Sequence, residues 1–160
     1  MDERTRGAAE ARPGDRHRAR EAALKVLYLW EVGGGEVAEA LRTFRAIDLE
    51  DEERPSPAVE PFIRSLVVGT AEALDQIDPL IAAAAEHWRL ERMAVIDRLV
   101  LRMAVYELRS GDSPAAVVIN EALELARTYS GDDAVGFVNG VLDAVRKRLA
   151  PDSQPPTTTD

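Results

Sequence analysis

Cysteine is absent from the 160 residues, which excludes disulfides, thiolate metal sites and cysteine nucleophiles and is compatible with a reducing compartment. Aromatic side chains are scarce at 5%. Ala, Leu, Glu and Arg abound instead, and their side chains lose little freedom in helices, so an all-β fold is disfavoured. No apolar run approaches the about 18 residues that a membrane helix needs. The start, MDERTRGAAEAR, is charged from its second residue and lacks the apolar centre of a signal peptide. We expect a cytoplasmic protein without a membrane attachment. Basic residues are outnumbered, 20 against 29 acidic, for a formal charge of −9. A protein-wide positive field for nucleic acid is therefore missing, and any such site has to be local.

What is present supports a folded chain, because 46% hydrophobic and 31% charged residues supply both a core and a solvated surface. At about 150 residues per domain the length fits one compact domain, expected over 15–150 between an arm (1–14) and a polar tail (151–160). Asp15 is a candidate cap for a first helix, in which Ala19, Ala23, Val26, Leu27 and Trp30 recur at helical spacing until Gly33, Gly34 and Gly35. A weaker pattern, Val37, Leu41 and Phe44, gives way to an acidic, proline-containing stretch at 48–57, read as an exposed connection. Ile63, Leu66, Val67, Thr70, Leu74 and Ile77 then keep one stripe. Asp78 followed by Pro79 reads as a cap with proline at the first helical position, opening a helix that carries Leu80, Ile81, Ala84, Ala85 and Trp88.

After a charged LER turn, residues 93–108 are apolar on nearly every side, as befits a helix in the middle of a bundle. Leu101 should be core. Gly111 ends that element, and Ser113 with Pro114 opens another lined by Val118, Ala122, Leu125, Ala126 and Tyr129. The β-branched run 117–119 also suits a strand, but the stripe continues for three more turns, which favours helix. Beyond Gly131 the last stripe is Ala134, Val138, Val141, Leu142, Val145 and Leu149. The expectation is an all-α bundle of about seven helices without repeats.

Visible catalytic chemistry is lacking. The Gly33–Gly35 run has neither the lysine nor the hydroxyl of a phosphate loop, and His17 and His87 lack metal-site spacing. No cofactor or metal is expected. Two features remain. RHRARE at 16–21 crowds three arginines at a positive helix end, opposing the helix dipole at about 0.3–1 kcal/mol per charge, which an anionic ligand would relieve; solvated surface charge is the alternative. Phe137 lies roughly 80° from the centre of the last stripe at about 100° per residue. It is placed either to stack on a base or to rim the core.

These residues fall in blocks that resemble the NusB family of transcription antitermination factors. The blocks are RARE-A-L-LYLWE at 18–31, WRLERMAVIDRLVLRMAVYEL at 88–108, INEALELAR at 119–127 and FVNGVLD at 137–143. The resemblance implies two packed helical sub-bundles and no enzymatic activity. It implies pairing with NusE, a ribosomal small-subunit protein, and binding of boxA RNA, a single-stranded element of nascent transcripts. It also implies action on RNA polymerase with NusA and NusG to suppress premature termination, notably in rRNA operons. Residue by residue, it places RNA contacts at Arg16, His17, Arg18, Arg20, Phe137 and Asn139. His17 stands where relatives can have a further arginine.

Members of the family occur as monomers and as homodimers, and a homodimer over 16–20 would compete with RNA. NusE-type partners are expected to be basic, so the acids of 48–53 are candidates for attracting them. The same fold is an appendage of some rRNA cytosine methyltransferases, but those need a catalytic cysteine and a cofactor-binding glycine motif that this sequence lacks. A helical adaptor that binds only protein is the other alternative.

Overall fold

The computed structural model describes residues 12–47, 49–50, 52–86 and 88–150; the arm up to residue 11, the tail 151–160, and Asp48, Asp51 and His87 lie outside the described residues. The described residues form seven α-helices and two short 3-10 turns and include no strand. None of these helices is long and apolar enough to cross a membrane. The chain divides into two units, with the boundary between Asp75 and Gln76.

In the first unit, α1 (Asp15–Gly33) buries Ala19, Ala23, Val26 and Leu27, the stripe expected from spacing. It stops at Gly34 and Gly35, whose φ of 69° and 81° lie in the left-handed region that glycine enters without a Cβ clash. The Gly34 N–H donates to Trp30 O at 2.9 Å, and Trp30 Nε1 donates to Gly35 O at 3.0 Å, which fastens the end of the helix. The weaker pattern forms α2 (Val37–Arg45), burying Ala40 and Leu41. A 3-10 turn at Pro57–Val59 leads into α3 (Glu60–Glu72), which buries Ile63, Leu66, Val67 and Thr70. Both α2 and α3 pack on α1.

Two expectations are corrected in this unit. Asp15 is not the cap of α1 but its first helical residue; Gly14, at φ 81°, occupies the cap position. The carboxylate turns away from the α1 backbone because Ser56 N–H, at 3.1 Å, and Arg12 N–H claim it. The connection is also not exposed throughout, since Ser56 is buried while Glu50, Glu52, Glu53 and Arg54 face water.

The break expected at Asp78 and Pro79 lies instead at Ala73. Helix α4 (Leu74–Ala84) runs straight through Pro79. Ile77 and Ile81 are both fully buried four residues apart, so a break between them would turn one out of the core. Asp78 does not cap: Arg102 engages its carboxylate with two hydrogen bonds of 2.9 Å. Trp88, expected on this helix, lies beyond its end and is 59% exposed.

The rest of the second unit is built on α5 (Val95–Ser110), which packs against α6 (Ala115–Tyr129) and α7 (Asp132–Leu149). Its buried set includes Leu99, Val100, Leu101, Met103, Ala104 and Val105, with Leu101 fully enclosed as expected. The LER turn is the 3-10 segment Leu90–Arg92. Gly111 at φ 72° ends α5 and donates to Glu107 O at 3.1 Å. The 117–119 run is helical: Val118 and Ile119 are buried, and Val117 faces outward.

Candidate nucleic-acid interface

The basic segment occupies the opening turns of α1, the positive end of the helix dipole. Its four side chains, Arg16, His17, Arg18 and Arg20, are not equivalent. Arg16 is exposed, with its guanidinium carbon 4.0 Å from the centroid of the Phe62 ring on α3. Arg20, one helical turn on, is only 2% exposed and lies 5.2 Å from the same centroid. Arg18 is tied into the fold: Nε donates to Glu52 O at 2.9 Å, Nη1 donates to Pro13 O at 3.0 Å, and Nη1 sits 3.5 Å from Asp15 Oδ1. The His17 side chain is 39% exposed, with Nε2 3.3 Å from Glu21 Oε1, an ion pair when the imidazole is protonated. Arg16 and His17 therefore present the segment to solvent, and Arg18 and Arg20 build its support.

Beneath that support the connection is hydrogen-bonded to the start of α1. Arg12 Nε donates to Ser56 Oγ at 3.0 Å, and Ser56 N–H donates to the buried Asp15 carboxylate. The Asp15 pKa is lowered from 3.8 to about 2. The Ser56 side-chain hydrogen bond is the largest cause, followed by the Arg12 N–H; burial opposes them, and the Ser56 N–H and the Arg12 charge add to the lowering. Hydrogen bonds to the ionised form outweigh desolvation here.

In the second unit Phe137, on α7, is half-buried, and its ring meets Trp88 edge to face with centroids 6.0 Å apart and planes at 67°. It is neither enclosed nor fully open, and its aromatic partner is exposed. The two rings line a cavity of about 410 Å³ together with Arg92, Met93, Asp97 and Asp133. The buried Asp97 Oδ1 has no hydrogen-bond partner among the described residues. Aromatic faces beside carboxylate acceptors can stack a planar base and receive its amino hydrogens. Asn139 is exposed. Two residues from Phe137, it points about 200° away around the helix and does not line this cavity.

Within the first unit, then, the structure gathers Arg16 and Arg20 around Phe62, and within the second it gathers Phe137 with Trp88. Sequence reasoning missed Phe62, because nothing near it in the chain marks a contact with α1. It also missed Asp97, Asp133 and the role of Trp88, although Trp88 opens one of the resembling blocks and Asp133 sits one turn before Phe137. Among the described residues, no three potential ligands are grouped to hold a metal.

The model of the NusB family matches residues 17–147. The transcription antitermination protein NusB of Solibacter usitatus (strain Ellin6076) is 46% identical over 141 residues, covering 88% of this chain and 94% of that protein. Among solved structures, T. maritima NusB superposes with a TM-score of 0.72 at 34% identity, covering 86% of this chain and 93% of that one. A crystal structure of the antitermination factors NusB and NusE in complex with dsRNA has a chain that matches with a TM-score of 0.69 at 27% identity, covering 86% and 99%. By sequence over most of its length and by its helical fold, the chain belongs to the NusB family.

Proposed function

We propose that this chain is a transcription antitermination factor that, with a NusE-type ribosomal small-subunit protein, binds boxA RNA of nascent transcripts and suppresses premature termination by RNA polymerase. The family match over residues 17–147 carries this reading. Relatives bear the name transcription antitermination protein, and one structural neighbour is a NusB in complex with NusE and dsRNA. Ribosomal RNA operons are the expected targets, with NusA and NusG as further members of the complex and the cytoplasm as its place of action. The protein acts by binding, without a catalytic step.

The geometry supports a division of roles within this reading. Arg16, and His17 when protonated, contact phosphates at the positive end of α1, while Arg18 and Arg20 hold that surface in place. Phe137 and Trp88 offer the surface on which a base stacks, and Asn139 adds an exposed polar group. A homodimer formed over the start of α1 would compete with RNA.

The test is a binding titration with single-stranded boxA RNA, a scrambled strand and a duplex, each with and without the NusE-type partner. Preference for boxA that strengthens with the partner is expected. Partner binding with equal, weak affinity for all three RNAs would replace this reading with that of a protein-binding adaptor.

A further inference from the structure

We infer that Phe62 is a positioning residue for the arginine–phosphate contact: its ring, supplied by α3, holds the Arg16 guanidinium in the place where it meets RNA. The inference rests on the RNA-binding reading above. Arg16 is exposed and its side chain is long, so left to itself it would sample many rotamers and lose that freedom on each binding event. A guanidinium whose carbon is 4.0 Å from a ring centroid is within the range of cation–π attraction and is already ordered.

The second cation makes the ring more than a rest for one side chain. Arg20 is on the same face of α1 as Arg16, four residues on, and its guanidinium carbon is 5.2 Å from the same centroid. Both guanidinium groups are within the range at which the ring quadrupole attracts a cation. With Arg20 only 2% exposed, the pair cannot relax by swinging into water together. The ring thus gives both arginines one anchor on α3, and Arg16 is the exposed one of the two.

Phe62 has a defined place because Glu60 and Pro61 open α3, and α3 packs on α1. Leucine there would keep an apolar side chain without the ring face, and tyrosine would keep the face.

The experiment is a double-mutant cycle on the full chain with single-stranded boxA RNA, comparing Phe62→Leu, Arg16→Ala and both together, with Phe62→Tyr as rescue. Phe62→Leu should weaken binding by roughly three- to tenfold, Phe62→Tyr should stay within about twofold of wild type, and Phe62→Leu should cost nothing further once Arg16 is alanine. An equal loss from Phe62→Leu with or without Arg16 would overturn the inference, since the ring would then support the fold or touch RNA itself. If Arg16→Ala weakens binding and Phe62→Leu does not, the RNA reading stands and the role of Phe62 falls. If Arg16→Ala leaves affinity untouched, the RNA reading of this segment fails and takes the inference with it. A measurement on the unmodified protein guards against a leucine variant that folds poorly: the Arg16 δ-methylene protons should show an upfield ring-current shift, and their absence from the shifted region would refute the stacked geometry.

Discussion

Arg16 and Arg20 lie one helical turn apart on the same ring, yet water reaches only the first freely, so their alanine variants should fail in different assays. Arg16→Ala should cost the fold no more than about 1 kcal/mol in urea, the worth of an exposed cation–π contact, and flatten the plot of log affinity against log salt by about 0.7 for single-stranded RNA, the signature of one lost phosphate contact. Arg20→Ala should instead destabilise the fold by about 1–3 kcal/mol, because it removes buried side-chain packing. A wild-type slope for Arg16→Ala together with a stable Arg20→Ala would reverse these assignments. Phe137 is proposed for a different kind of contact. Phe137→Ala should lose about 1–3 kcal/mol of RNA affinity at every salt concentration with the slope preserved, since stacking releases no counterions. A changed slope would mean that the substitution had moved a charged contact rather than removed a stacking face.

At the scale of elements, the stops were easier to read than the joins. Gly34, Gly111 and Gly131 announce helix ends because each stands at a positive φ that other residues adopt only with strain. Leu101 was legible as core because its helix is apolar on nearly every side. The break at Ala73 carries no such mark: Thr70, Leu74 and Ile77 keep apolar spacing across it, while the conspicuous Asp78–Pro79 pair lies inside α4. Local chemistry favoured a cap there, and the burial of Ile77 and Ile81 with the Arg102 ion pair overrode it. Pro79→Ala tests this directly. In mid-helix the proline forfeits a backbone hydrogen bond, so alanine should stabilise by about 1–2 kcal/mol, whereas at a helix start the exchange would be neutral or harmful. The measurement is the urea midpoint of the two proteins.

The candidate site was legible by halves for a related reason. The arginines and Phe137 stand out within their own helices, but the Phe62 and Trp88 contacts exist only after distant segments pack. The tie between α1 and the connection gives a pH prediction of the same non-local kind. Because the Asp15 pKa falls from 3.8 unfolded to about 2 folded, the carboxylate adds stability that is complete above the unfolded value and is lost as pH drops through the folded one. In urea melts, the advantage of wild type over Asp15→Asn should be constant from neutrality to about pH 5 and shrink between about pH 4 and 2. A constant advantage down to pH 2 would show that ionisation of Asp15 is not what the fold uses.

For the whole molecule the question is how a chain of charge −9 associates with an anion. At physiological salt, charges beyond about 8 Å are largely screened, so RNA docked as proposed at the start of α1 would respond to the local field rather than to the total. The acidic connection is part of that local field. Arg18 holds it by the main-chain oxygen of Glu52, and Arg12 reaches Ser56 and the main-chain oxygen of Arg54, so these ties do not depend on the acidic side chains. Replacing Glu50, Glu52 and Glu53 with Gln should therefore leave the fold intact while removing three negative charges beside the basic segment. The two associations should then move in opposite directions. RNA should bind faster, and a basic NusE-type partner should bind more slowly, each by a few-fold at low salt, with both differences fading as salt rises. Stopped-flow association rates at two salt concentrations decide the matter. If both rates stay at wild-type values, the connection is solvated surface and steers neither ligand; if both fall together, the substitutions have disturbed the start of α1 itself.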